Sequence, residues 1–168
     1  MHEGNQRRTP KVPTRAELAS KTKKDIIGNM ILALDTDVVV AALRSPSGAS
    51  RRLIHDLYGG RVQAVATVGM FVEYEAVLTR PEHLTATGLT VAETSRFLDG
   101  LAALVVPVRP HFLWRPQLRD PNDEMVLESA VNGHAHAIVT FNQRDFLPAA
   151  SRFGIRVETP GNINRRPI

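Results

Sequence analysis

From residue 30 onward the chain alternates between two hydrophobic periods. Apolar or β-rich runs at residues 30–34, 62–67, 104–108, 135–140 and 155–159 read as strands. Stretches of helical period separate them, at 37–43, 48–58, 69–78, 90–103 and 121–132, with a short turn near 145–150. Strands spaced by helices imply crossover connections and a mostly parallel sheet covered on both faces. The expected class is α/β, a three-layer α/β/α sandwich. The segment 107–121, with Pro110 and Pro116 inside it, reads as a surface connection within one domain.

Composition and charge sharpen this picture. A chain of 168 residues with 43% hydrophobic content can bury one core. Residues 1–29 hold seven bases against three acids, whereas 14 arginines balance 14 acids from Met30 onward, so the body is formally neutral. We read 1–29 as a basic N-terminal tail, with at most one short helix from Thr14, 30–160 as the folded domain and 161–168 as a C-terminal tail. Every lysine lies before Met30, so the body has no amine nucleophile, while its arginines offer forks suited to phosphate. No cysteine is present, which excludes disulfides, thiolate zinc sites and thiol catalysis and fits a reducing, cytoplasmic setting. No apolar run approaches the roughly 20 residues that a membrane helix needs.

The acids sit in a revealing place. Ligands of parallel sheets bind beyond the carboxyl ends of the strands. Asp35 follows the first strand, Asp120 and Asp123 open the helix before the fourth, and Asp145 lies shortly after the fourth ends. Glu73 and Glu75 sit in the helix after the second strand, at opposite margins of its apolar stripe, and periodicity does not choose between them. Converging like charges repel unless a cation neutralises them, and all-oxygen ligands suit Mg²⁺ or Mn²⁺. Each acid also has a plain structural reading. Asp35 and Asp37 suit helix capping, and Asp120-Pro121-Asn122-Asp123 is a helix-start signature with Pro at the first helical position. Against this, Asp123 shares a helical face with Val126, Leu127 and Ala130, an unusual place for a carboxylate without a function.

The segments LDTDVVVAALRSPSGASRRLI, GMFVEYEAVLTRP, RDPNDEMVLESAV and AIVTFNQRDF resemble, in order and spacing, those of the PIN-domain ribonucleases, especially the VapC-related toxins of toxin–antitoxin pairs. The resemblance covers about residues 30–160. It implies a Mg²⁺- or Mn²⁺-dependent endoribonuclease acting on single-stranded RNA, usually a homodimer and held inactive by a cognate antitoxin. Carried over residue by residue, it implies catalytic roles for Asp35, Glu73 rather than Glu75, Asp123 and Asp145. Asp35, Asp123 and Asp145 would serve the metal, directly or through water, and Glu73 would orient the attacking water or complete the metal shell. Thr36, Thr140 and Asn142 match supporting polar positions, and Asp120 is a second acid beside Asp123. Two positions depart from the pattern: Asn142 stands where an acid is frequent, and Asp37 where asparagine is usual. Arg44, Arg51, Arg52 and Arg144, with Ser45 and Ser47 nearby, are candidate RNA-phosphate contacts.

Other readings compete. LALDTDVV also matches the Asp-x-Asp opening of haloacid-dehalogenase-like phosphatases, with Asp35 as nucleophile and Asp37 as acid/base. That family, like response-regulator receivers, expects a later basic residue, usually lysine, which the body lacks. A catalytically weakened PIN fold that binds RNA or docks a partner is the non-enzymatic alternative. His134 and His136 alternate at strand period and could form a metal pair, but they precede their strand and belong to the opposite edge.

Overall fold

The computed structural model describes residues 30–165 apart from Phe112 and Trp114. The basic segment 1–29, with its expected helix from Thr14, lies outside the described residues.

Five strands form one sheet: β1 (Met30–Leu34), β2 (Val62–Ala66), β3 (Val106–Pro107), β4 (Ala137–Val139) and β5 (Arg156–Glu158). All neighbours run parallel, in the order β3-β2-β1-β4-β5. Parallel neighbours cannot be joined by tight hairpins, so helices carry the crossovers. In chain order these are α1 (Thr36–Arg44), α2 (Ala49–Tyr58), α3 (Val68–Leu78), α4 (Pro81–Thr87), α5 (Val91–Ala102), α6 (Glu124–Asn132), α7 (Gln143–Ala150) and α8 (Pro160–Asn164). The result is the expected three-layer α/β/α sandwich, with eight helices flanking the sheet among the described residues.

The strands are almost wholly apolar because helices cover both faces. Leu32, Ala33 and Leu34 of β1 and all of β4 are buried, and they meet Val38, Val39, Leu127 and Phe146 from the helices. Met30 pairs with Val62 on one side of β1, and Leu34 with Val139 on the other. After β1 the chain first builds outward through β2 and β3, then returns to β1's other side with β4 and β5. The order therefore reverses between β1 and β4. Neighbouring crossovers leave a crevice at such a reversal, at the carboxyl ends of its strands.

Several boundaries differ from those read in the sequence. Leu104 and Val105 close a turn, and β3 is only two residues long. Helix α6 starts at Glu124 rather than Pro121: residues 121–123 form a turn closed by the Asp123 amide on the Asp120 carbonyl at 3.2 Å, with the Asp120 carboxylate accepting from the Asn122 amide at 2.9 Å. Helix α4 was not expected, although Pro81 at its first turn and Gly88 beyond its end, at φ 69°, are start and stop signals. The turn near 145–150 is helix α7. Beyond residue 160 the chain forms α8, capped by Thr159 and anchored by buried Ile163 against α2, so part of the segment read as a C-terminal tail joins the core.

Candidate active site

At the end of β1 the backbone stays in the sheet for one more residue: the Asp35 amide donates to the Val139 carbonyl at 2.9 Å. The chain then turns into α1 with Asp35 as its N-cap, one carboxylate oxygen accepting from the Thr36 amide at 2.6 Å. The other accepts from the Thr140 hydroxyl at 2.7 Å, from the end of β4. Asp35 is thus both the helix cap and the floor of the crevice, 8% exposed. The helix-capping reading of this residue holds.

Around it the acids gather. Asp37, in the first turn of α1, accepts from the Phe141 amide at 2.9 Å through one oxygen, and its other oxygen is buried with no hydrogen-bond partner. Asp123 precedes α6 in helical backbone conformation and makes no capping hydrogen bond, so its half-buried carboxylate is left to the crevice. The stripe that α6 buries begins one turn later, at Val126 and Leu127. Asp145, in the first turn of α7, accepts from the Asn142 side-chain amide at 2.7 Å. Asn142 therefore steadies Asp145 where a further carboxylate would repel it. Thr140 is fully buried and also accepts from the Asn142 amide, binding the β4–α7 turn to the Asp35 floor.

Electrostatics shows that these groups feel one another. Burial pushes the Asp35 carboxyl up from 3.8 to about 7, repulsion from Asp37 and Asp123 adds to it, and the hydrogen bonds from Thr140 and Thr36 oppose it. Asp123 rises to about 6, through burial first and then repulsion from Asp120, Asp145 and Asp37. Asp37 is raised by burial against the bonds from Phe141 and Thr140. Asp35, Asp37, Asp120, Asp123 and Asp145 thus form one repelling cluster at the topological reversal. Among the described residues no three His, Asp or Glu side chains are closed into a set that could hold a metal ion. The acids share an edge rather than a finished cage.

Glu73 stands apart from that cluster. It is half-buried on α3, one turn before Val77 and on the same face, while Glu75 is exposed. Among the described residues Glu73 makes no hydrogen bond or ion pair, and the geometry does not join it to Asp35 or Asp123. Between the two glutamates, buried Tyr74 donates its hydroxyl to the Leu34 carbonyl at 2.5 Å, tying α3 to the end of β1. Burial, followed by the nearby Asp35, holds this phenol well above its ordinary value. Tyr74 played no part in the sequence analysis; the signal in the sequence is a hydroxyl on an apolar stripe, which needs a buried acceptor.

The basic candidates divide. Arg44 lines a cleft that also contains Thr36, Asp37 and Ser45. Arg144 is exposed in the first turn of α7, beside Asp145. Arg51 lines a separate groove with Leu43, Leu89 and Phe97, and Arg52 is exposed on α2. His136 accepts the Ile31 amide on its Nδ1 at 3.0 Å, a sheet-edge role, and His134 sits in a left-handed turn at φ 52°.

The family model of the PIN domain matches residues 32–144. The chain belongs to the PIN-domain family. The match spans well over half of the chain and includes Asp35, Glu73 and Asp123, ending one residue before Asp145. PIN domains have a nuclease-type fold and are in general metal-dependent nucleases. No curated protein matches the chain. Among the described residues of this PIN domain, no helix is long and apolar enough to cross a membrane.

Proposed function

We propose that this PIN domain is a Mg²⁺- or Mn²⁺-dependent endoribonuclease that cleaves single-stranded RNA, and that it acts as the toxin of a toxin–antitoxin pair. One observation carries the nuclease reading: Asp35, Asp123 and Asp145, from the ends of three different segments, converge with Asp37 at the crevice between β1 and β4. The donor chemistry fits a hard divalent cation. Every side chain in the cluster is an oxygen donor, Asp37 keeps a buried oxygen without a partner, and the raised Asp35 and Asp123 carboxyls are those of anions lacking a counter-charge.

Asp35, Asp123 and Asp145 would hold the ion, with the free oxygen of Asp37 beside them. When bound, such an ion polarises a phosphoryl oxygen and lowers the pKa of water. The protein's own groups do the rest. Thr140 and the Thr36 amide hold Asp35 in one orientation, and Asn142 does the same for Asp145. Glu73, which the geometry leaves outside the cluster, enters this reading through the resemblance alone, as the carboxylate that would orient the attacking water or complete the metal shell. The phosphatase alternative would use Asp35 as nucleophile and Asp37 as acid/base. Residues 30–168 contain no lysine to serve it, and both Asp37 and Asp35 are tied to the end of β4.

The toxin role, the antitoxin and the homodimer rest on the resemblance in the four motifs. Exposed Val68 and Val72, one turn apart on α3, offer apolar surface for such partners. Purified protein is expected to cleave single-stranded RNA with Mg²⁺ or Mn²⁺ and to stop when the ion is chelated. Asp35→Ala and Asp123→Ala should each lower the rate by at least about 100-fold. Expression of the parent should arrest growth, and neither variant should. Growth arrest by both variants at the parent's level would refute the catalytic assignment.

A further inference from the structure

Helix α1 carries a second message besides Asp35. Asp37, Ala41 and Arg44 recur at offsets of four and three, so they line one face of the helix: an acid near the crevice, a small apolar residue in the middle, a cation at the far end. Seven residues of helix separate the two charges, about 10 Å of rise. That face does not pack solidly against a neighbour. It borders a cleft of about 550 Å³ whose other wall is Val77, from the last turn of α3, and His83, from the first turn of α4. Helix α4 packs on both α1 and α3, which holds His83 in place. The His83 side chain is half-buried and makes no hydrogen bond among the described residues.

The cleft is continuous with the acid cluster, since Asp37 belongs to both. Its middle is apolar, formed by Val40, Ala41 and Val77, and its volume lies in the range of ligand sites. Its far rim is basic. A polynucleotide strand complements this order: a phosphate that the divalent cation of the nuclease reading would bring to the acidic end, a base with an apolar face over the middle, and a further phosphate at the basic rim.

We propose that this cleft is a nucleotide subsite of the RNA substrate. The base of the nucleotide adjoining the scissile phosphate lies on Val40, Ala41 and Val77, and its outer phosphate meets Arg44 and His83. This rests on the ribonuclease reading above. It adds that α1 and α4 select the neighbouring nucleotide by size, because Ala41 leaves the room that a base would fill. Arg44 acts here as a phosphate fork and His83 as a donor through its ring nitrogen. Neither reaches the reacting atoms, so both are positioning residues.

The test uses a fluorescent single-stranded RNA pentanucleotide of mixed sequence, bound to the full-length protein in chelator so that no hydrolysis consumes it. Ala41→Phe, which fills the cleft, and Arg44→Ala are each expected to weaken binding about tenfold, and His83→Ala a few-fold. Arg96→Ala, a charge removed from the exposed face of α5, controls for nonspecific attraction and should leave affinity unchanged. With Mg²⁺ or Mn²⁺ present, the cleft variants should raise KM for the same RNA while kcat stays within about twofold. Parent-like affinity in Arg44→Ala and His83→Ala would overturn the subsite, even if Ala41→Phe were misfolded, and so would an equal loss in Arg96→Ala. If the parent cleaves RNA and Asp35→Ala does not, while the cleft variants bind and cleave normally, the subsite falls and the nuclease reading stands. If no RNA is cleaved yet Arg44→Ala and Ala41→Phe still lose binding, the subsite stands and the nuclease reading falls.

Discussion

Asp35 holds a cap, a hydroxyl and a position among other acids, and these demands conflict. In the folded chain its carboxyl titrates near 7 rather than 3.8. The sign of the consequence follows. Below about pH 4 both folded and unfolded chains hold the proton, and burial of the neutral acid carries no charge penalty. Between 4 and 7 the unfolded chain ionises while the folded one keeps its proton, so stability falls as pH rises, and the loss is complete above 7. Asp35→Asn is therefore expected to stabilise the metal-free protein at pH 8, by on the order of a few kcal/mol, and hardly at all at pH 4. Urea unfolding in chelator at the two pH values measures it; equal effects at both would show that the charge of Asp35 is not the source. Apparent affinity for Mn²⁺ should rise from pH 5.5 to 7.5 as Asp123 and Asp35 lose their protons. Asp35 was legible in the sequence as an acid ending a strand. Its protonation was not, because that depends on burial and on Asp123, a residue far along the chain.

Helix α6 shows how an element is held where the chemistry needs it. Its first turn puts Glu124, buried despite its charge, against the 115–118 segment, where its carboxylate accepts the amides of Gln117 and Leu118, the latter at 2.8 Å. One turn on, Glu128 takes the Arg115 guanidinium through both oxygens, at 2.6 and 3.0 Å. These two residues secure the connection that leads into Asp120 and Asp123. Glu124→Ala leaves two amides without an acceptor and should destabilise the fold by about 2–3 kcal/mol. Hydrogen exchange at Gln117 and Leu118 should speed up more than exchange in β4; uniform acceleration would mean that the loop is not anchored there. The periodicity that marked α6 came from Val126, Leu127 and Ala130, which face the core, and it extended the helix back to Pro121. The helix starts at Glu124 because residues 121–123 close a tighter turn, the Asp123 amide on the Asp120 carbonyl at 3.2 Å, and the four-residue helical bonds begin only with the Leu127 amide on the Asp123 carbonyl at 3.2 Å. Helix α4 was missed because its residues include no fully buried side chain, so no hydrophobic period announces it.

The whole molecule is a sheet whose strand order reverses beside its central strand, with anions from segments about 90 to 110 residues apart drawn to the same edge. Such a cluster opposes folding until a cation joins it. Mn²⁺ should therefore raise the melting temperature of the parent, and 100 times the dissociation constant corresponds to about 2.7 kcal/mol. Asp123→Ala should lose most of that response, and Arg52→Ala, a charge removed from the exposed face of α2, should keep it. A response equal in the parent and in Asp123→Ala would place ion binding elsewhere.

Short-range patterns were enough for the class of the fold and for the place of several acids at the ends of strands. Hydrophobic period and strand-end position act over a few residues and survive without knowledge of the rest of the chain. What waited for the folded chain was adjacency: that β4 lies beside β1, so that Thr140 clasps Asp35 across 105 positions; that Tyr74 reaches the Leu34 carbonyl; and that a cleft opens along α1. Those outcomes come from packing between distant segments, where burial and repulsion are decided by neighbours that no local period records.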